Sequence, residues 1–190
     1  NPGTLNVYNV RNPEAHKLMT RVLDEVVELF QPNMLHIGHD EVGNETNYPF
    51  QEANRKEGGA KLIMDDIMFY YDYCQKHNMK MMMWHDMFIR TPQKPHGSFG
   101  LAEERLKLPR DIYFAFWDYG ATVDENTVRE LHEEGFPVVL CGWDSTANIR
   151  KLTKLAKESG STGYMTTIWA GYDGSATIFQ REFNQVAAYI

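Results

Sequence analysis

The sequence predicts an α/β chain with a parallel sheet, and within that class a portion of a (β/α)8 barrel of the TIM type. Three observations lead there. Five apolar, strand-like segments alternate with amphipathic segments of helix length across the 190 residues. The glycine-rich first turn that marks the ligand site of a doubly wound sheet, GxGxxG, is absent. All four tryptophans fall at the C-terminal ends of strand segments, the end at which a barrel gathers its functional residues.

Taken in chain order, Pro13 to Phe30 reads as a helix. Asn12 is a proper N-cap, Pro13 occupies the first helical position, and Leu18, Val22, Val26, Val27 and Phe30 recur at helical spacing. Pro32 stops it, and Met34 to Ile37 follows as a short strand. Ala60 to His77 is a second long helix with Leu62, Ile63, Ile67, Tyr70, Tyr71 and Cys74 on its apolar face. Lys80 to Trp84 is the next strand, and a weak helical patch lies near Ala102 to Leu106. A strand from Ile112 to Trp117 leads to a helix from Glu125 to Glu134, closed by Gly135. The last elements are a strand from Val138 to Cys141, a helix from Ala147 to Glu158 closed by Gly160, a strand from Tyr164 to Trp169 and a helical stretch from Ala176 to Tyr189. Helical crossovers of this length imply parallel pairing.

Trp84, Trp117, Trp143 and Trp169 each sit at the C-terminal end of a strand segment, and each precedes an aspartate within four residues: Asp86, Asp118, Asp144 and Asp173. Packing alone would scatter indoles along strands and helices. Five strands are fewer than a barrel needs, and leaving them open would expose two sheet edges. The expectation is therefore one partial barrel over residues 1–190, the C-terminal portion of a larger one, with an upstream half in the same parent chain.

Composition narrows the partners. The net charge of -7 comes from 26 acids among 19 scattered Lys and Arg, so no basic stripe is available to follow a phosphate backbone. No apolar run approaches the ~20 residues that span a bilayer. Nucleic acid and membrane are both expected to be absent as partners. Cys74 and Cys141 form no CxxC spacing and read as two free thiols, leaving the compartment unassigned. The ten methionines read as adaptable core filler.

The chemistry concentrates in LHIGHDEVGNE, Leu35 to Glu45. Alternation along a strand puts His36, Gly38 and Asp40 on one side and Leu35, Ile37 and His39 on the other. Leu35 and Ile37 suit the helix layer, which would turn His36 and Asp40 inward and leave Glu41 at the rim. Two adjacent carboxylates at a dry, aromatic rim disfavour double ionisation, so one can remain charged while the other holds a proton. That division suits glycoside cleavage. Indoles can cover the apolar face of a sugar ring while aspartates bind its hydroxyls.

HIGHDE is similar to the His-x-Gly-x-Asp-Glu signature of glycoside hydrolase family twenty, the β-N-acetylhexosaminidases, and MMMWHDMF, FAFWDYG and TTIWAGYDG resemble that family's later strand ends. The resemblance implies that the five strands are the fourth to the eighth of the barrel. It implies a retaining exo-acting enzyme on N-acetylhexosamine-containing glycans, in which the substrate's own acetamido oxygen attacks the anomeric carbon, with no metal or other cofactor. Asp40 would orient the acetamido group and Glu41 would be the general acid and base. Trp84, Trp117 and Trp169 would box the acetamido methyl and the ring. The pattern departs at His39, where the family is often small. It departs again at Trp143, where a tyrosine hydroxyl is usual and Tyr119 is the candidate to supply it, and at Gly171, which leaves the outer hydroxyls to Asp144 or Asp173. His36 reads equally as a core histidine and as a support for the substrate site.

Two rival readings follow from the same residues. One is a metal-dependent hydrolase with His36, His39, Asp40, His85 and Asp86 as ligands, which the opposite directions of His36 and His39 disfavour. The other is a barrel fragment that binds sugar without turning it over.

Overall fold

The structure is a computed structural model that describes residues 7–42, 52–120, 122–143, 145–169, 183 and 187. The chain divides into two units, Asn1–Leu108 and Pro109–Ile190, and each is described by itself. Helices and parallel strands alternate in both, so the fold class is α/β, as expected of part of a TIM-type barrel.

The first unit opens with helix α1, Pro13–Phe30. The Asn12 side chain accepts from the Glu14 N–H at 3.1 Å, and Gln31 closes the helix in a left-handed conformation at φ 46°. Strand β1, Met34–His36, follows. A short helix α2, Glu52–Arg55, precedes the long helix α3, Gly59–Lys76, which buries Leu62, Ile63, Asp66, Ile67, Tyr70, Tyr73 and Cys74. Strand β2, Lys80–Trp84, has every residue after Lys80 buried, three methionines among them. A 3-10 turn, Asp86–Phe88, and the short helix α4, Leu101–Glu104, complete the unit.

β1 and β2 pair in parallel, with Leu35 opposite Met81 and His36 opposite Met82. The ladder runs beyond the strand, since the Ile37 N–H reaches the Met82 carbonyl at 2.9 Å and the Trp84 N–H reaches the Gly38 carbonyl at 3.0 Å. Trp84 is thereby fixed beside the loop that leaves β1.

The expected apolar face of α1 is not a buried one. Only Leu23 is buried, while Leu18, Val22, Leu29 and Phe30 are exposed. The helix instead meets α3 through polar and ring contacts. His16 stacks on Phe69 at 3.9 Å and 6°, and the Tyr73 hydroxyl donates to Asp24 at 2.9 Å.

The second unit holds strand β3, Tyr113–Trp117, helix α5, Glu125–Glu133, strand β4, Val138–Gly142, helix α6, Thr146–Ser159, and strand β5, Gly163–Thr166. β3 pairs with β4 and β4 with β5, all in parallel. Phe114, Phe116, Leu140, Ile149 and Leu152 pack between sheet and helices with at most 1% exposure. Asp124 caps α5 and Ser145 caps α6, and Gly135 and Gly160 follow those two helices with φ 90° and 69°. A left-handed residue there satisfies the last carbonyls of a helix, which is why glycine was a legible stop.

β5 ends three residues short of the expected Trp169, although the Thr167 N–H still reaches the Gly142 carbonyl at 2.9 Å. The final helical stretch, 176–189, lies outside the described residues except for Phe183 and Ala187, both helical. Cys74 and Cys141 are free and buried, and burial pushes the Cys74 thiol up to about 11. No helix among the described residues is long and apolar enough to cross a membrane.

The Asn12 cap sets a stability test. Asn12→Ala removes the acceptor for the Glu14 N–H and is expected to cost about 1 kcal/mol, read as a lower denaturation midpoint at unchanged slope.

Candidate active site

β1 ends at His36, and the strand's two-residue alternation ends with it. Gly38, His39 and Glu41 all have positive φ, at 74°, 67° and 45°. A left-handed conformation suits Gly38, whereas a side-chain-bearing residue there costs of order 1–3 kcal/mol and persists only when its surroundings hold it. With those backbone angles the period-two alternation of an extended strand does not carry on from His36 into Asp40 and Glu41. Asp40 and Glu41 line a cavity of about 340 Å³ shared with Ile37, His39, Asp66 and Tyr70. Asp40 is half-buried and Glu41 exposed.

Its remaining walls are apolar and tyrosyl, and among the described residues no tryptophan lines it. Trp84 is only 9% exposed and packs against His36, with ring centroids 4.4 Å apart.

Gly38, His39 and Glu41 are each tied down. The Gly38 N–H donates to His36 Nδ1 at 3.0 Å, and the Glu41 N–H donates to Asp86 Oδ2 at 3.1 Å. The His39 ring bridges the Ile37 carbonyl, at 3.0 Å from Nδ1, and Asp66 Oδ2, at 2.9 Å from Nε2. His39 thus faces α3, as expected for a residue on the helix side. His85 is buried at 2% exposure.

Asp66 was missed by the sequence reading. It is 4% exposed, and it accepts from His39, from His16 Nε2 at 2.7 Å, and from the Tyr8 hydroxyl at 2.6 and 2.7 Å to its two oxygens. Tyr8 has one proton, which goes to the carboxylate, so the Tyr70 hydroxyl donates to Tyr8 across 2.8 Å. Burial opposes ionisation of Asp66, yet the hydrogen bonds from His39 and Tyr8 hold its carboxyl below the ordinary value. Burial and the Asp66 carboxylate together raise Tyr8 well above the usual phenol range. The available signal was a carboxylate at 66 within the apolar run 62, 63, 67, 70, since a charge on a buried helix face needs partners.

His36 is the opposite case. Its Nδ1 accepts a hydrogen bond, so the ring hydrogen lies on Nε2, and Nε2 is buried with no hydrogen-bond partner among the described residues. Burial lowers the ring to about 4, against the attraction of Asp40. An orphan donor beside an indole is a ready contact for an oxygen of a bound molecule.

In the second unit the strand ends bring aromatics together around Tyr119. Trp117 stacks on Tyr119 at 5.3 Å and 26°, and Trp143 meets it edge-on at 5.5 Å and 68°. Trp169 Nε1 donates to the Tyr119 hydroxyl at 2.8 Å, and Thr167 Oγ1 lies 3.0 Å from the same oxygen. Trp169 is 52% exposed, which leaves an open indole on this cluster.

Asn148, also missed, holds the cluster's backbone. It is fully buried, donates to the Asp118 and Gly120 carbonyls at 2.6 and 2.9 Å, and accepts from the Trp143 N–H at 3.4 Å. Asp118 spends both carboxylate oxygens on its own loop, accepting from Gly120 and Asp124 N–H groups at 3.0 Å each. Asp144 and Asp173 lie outside the described residues. Among those described, no group of three His, Cys, Asp or Glu side chains is placed to hold a metal ion.

Comparison with known proteins gives one family. The glycosyl hydrolase family 20 catalytic domain matches residues 3–173. No curated protein matches. Among solved structures, a variant of methylaspartate ammonia lyase from Clostridium tetanomorphum is 11% identical with a TM-score of 0.50, covering 97% of this chain and 51% of its own. A magnesium complex of beta-methylaspartase from the same organism is 11% identical with a TM-score of 0.48, covering 95% and 49%. The chain thus spans about half the length of these structures. At such identity the first likeness concerns the fold alone.

His36 sets the pH test. An unfolded His36 takes up a proton below about pH 6.5, whereas the native ring stays neutral down to about 4. Unfolding takes up that proton in the interval, so stability falls as the pH drops from ~6.5 to ~4, by roughly 3 kcal/mol in full. Denaturant titrations are expected to show this loss in the native sequence and a flatter profile in His36→Phe.

Proposed function

The chain belongs to glycosyl hydrolase family 20, and from that premise we propose that it is the catalytic part of a retaining exo-β-N-acetylhexosaminidase, its five strands corresponding to the fourth to eighth of a (β/α)8 barrel. The observation that carries the reading is the acidic pair itself. Asp40 and Glu41 leave the end of β1 side by side, on a backbone tied to Asp86, Asp66 and Trp84. A carboxyl pair on a rigid support suits a reaction in which one group holds charge and the other moves a proton.

The chemistry runs in two displacements. Glu41, protonated, gives its hydrogen to the glycosidic oxygen as the bond from that oxygen to the anomeric carbon breaks. The substrate's acetamido oxygen forms a bond to the same carbon from the opposite face, and Asp40 stabilises the positive charge that develops on the acetamido nitrogen. Glu41, now a carboxylate, takes a proton from water as the water oxygen attacks the anomeric carbon and the acetamido oxygen leaves. Two inversions restore the original configuration. The substrate would be a glycan ending in N-acetylglucosamine or N-acetylgalactosamine.

The remaining residues take binding roles in this reading. The Nε2–H of His36 is a donor for a sugar oxygen. Trp117, Tyr119, Trp143 and Trp169 form an aromatic surface suited to a pyranose face and an acetamido methyl. Tyr119 is the candidate hydroxyl for the acetamido oxygen. Trp84 supports His36 from beneath, and Asp144 and Asp173 are candidates for the outer hydroxyls.

Turnover of an aryl N-acetyl-β-glucosaminide tests the assignment. Glu41→Gln is expected to lower kcat by about 10²–10⁴-fold, with azide restoring aryl release from an activated substrate. Binding of N-acetylglucosamine without aryl release by the unaltered protein would favour the sugar-binding alternative instead.

A further inference from the structure

We propose that His39 is a positioning residue for the Asp40–Glu41 pair, its ring clamped between the Ile37 carbonyl and Asp66 of α3 so that the left-handed turn carrying both carboxylates keeps one conformation. The inference rests on the catalytic reading of that pair.

Three observations support the clamp. First, the turn holds two side-chain-bearing residues at positive φ, His39 at 67° and Glu41 at 45°, with Asp40 between them. Such a turn relaxes unless something outside it resists. The two ends are held by different groups, Glu41 through its N–H on Asp86 and His39 through its ring.

Second, both nitrogens of the His39 ring face oxygens that only accept: the Ile37 carbonyl at 3.0 Å and the Asp66 carboxylate at 2.9 Å. Each nitrogen must carry a hydrogen to make its bond, so the two contacts are made together only by a ring with a hydrogen on both nitrogens. A ring fixed at both nitrogens cannot flip or rotate without losing a charge-assisted bond.

Third, the anchor cannot follow the ring. Asp66 is 4% exposed, and its other bonds come from Tyr8 in the segment before α1 and from His16 on α1. Together with His39 they give both oxygens of the carboxylate a hydrogen-bond donor. His39 itself is 10% exposed, which shields its bond to Asp66 from water. A small residue at position 39 could adopt the same φ but could not reach Asp66.

The experiment has two arms. In the first, uniformly 15N-labelled protein is examined by ring-proton NMR at neutral pH. His39 is expected to show both ring N–H signals, and Asp66→Asn is expected to remove the Nε2–H signal and speed exchange of the Asp40 and Glu41 amides. A His39 ring with one bare nitrogen, or amides indifferent to Asp66→Asn, overturns the clamp.

In the second arm, His39→Gln, Asp66→Asn and the double variant are assayed on an aryl N-acetyl-β-glucosaminide after melting curves confirm folding. Each single variant is expected to lower kcat by about 10- to 100-fold with KM within about threefold. The double variant is expected to be no worse than the weaker single. Unchanged kcat, or losses that multiply, overturns the proposal. Where Asp66→Asn does not fold, His39→Gln carries the test, because it leaves Asp66 its Tyr8 and His16 bonds. An unaltered protein without glycosidase activity would refute the catalytic reading alone, since the NMR arm still reads the clamp.

Discussion

A buried carboxylate governs the first unit. Removing an ionised aspartate from water is costly unless its oxygens are fully hydrogen-bonded, and Asp66 meets that demand by recruiting Tyr8, His16 and His39. Those residues lie before α1, on α1 and in the turn after β1. Satisfying one side chain of α3 therefore fixes where three other segments run. The requirement explains why α1 can leave Leu18, Val22 and Leu29 in solvent and still dock. It also explains how His39 can sit at positive φ in the turn that carries Asp40 and Glu41.

The second unit solves a related problem with a neutral side chain. Asn148 lies at the start of α6, where it spans the loop after β3 and the residue after β4. An amide can donate twice and accept at once, so one buried residue aligns the backbone that carries Trp117, Tyr119 and Trp143. Gly142 must stay small for the same reason: a Cβ there would lie 2.1 Å from the Tyr164 hydroxyl oxygen and 3.2 Å from Asn148 Oδ1. In each unit the residues with chemical potential sit at strand ends, and a buried polar residue of a helix sets the loop that bears them.

Much of this was legible in the sequence. Asn12 before Pro13, Gly135 and Gly160 marked helix ends because capping depends on local backbone chemistry. The strand at Lys80–Trp84 emerged with its predicted limits, and the others within a few residues. The signature around Asp40 pointed to the family whose catalytic domain then matched residues 3–173. What could not be read was the departure from strand geometry after His36, since period-two reasoning assumes an extended chain and three positive φ values abolish it. Asp66 was hidden for a different reason. Its partners lie from 27 to 58 positions away in the chain, and no local pattern reports contacts of that separation. Tyr70 was likewise read as packing although its hydroxyl ends the network.

If the acetamido group is the nucleophile at the Asp40–Glu41 pair, its electron density must control the rate. The most direct measurement is kcat/KM across aryl glycosides whose N-acetyl group carries none, one, two or three fluorines, with the leaving group held constant. A steep fall at each substitution, to near-complete loss for the trifluoroacetyl sugar, is the expected result. Rates indifferent to fluorination, or equal cleavage of the 2-hydroxyl sugar, would contradict it.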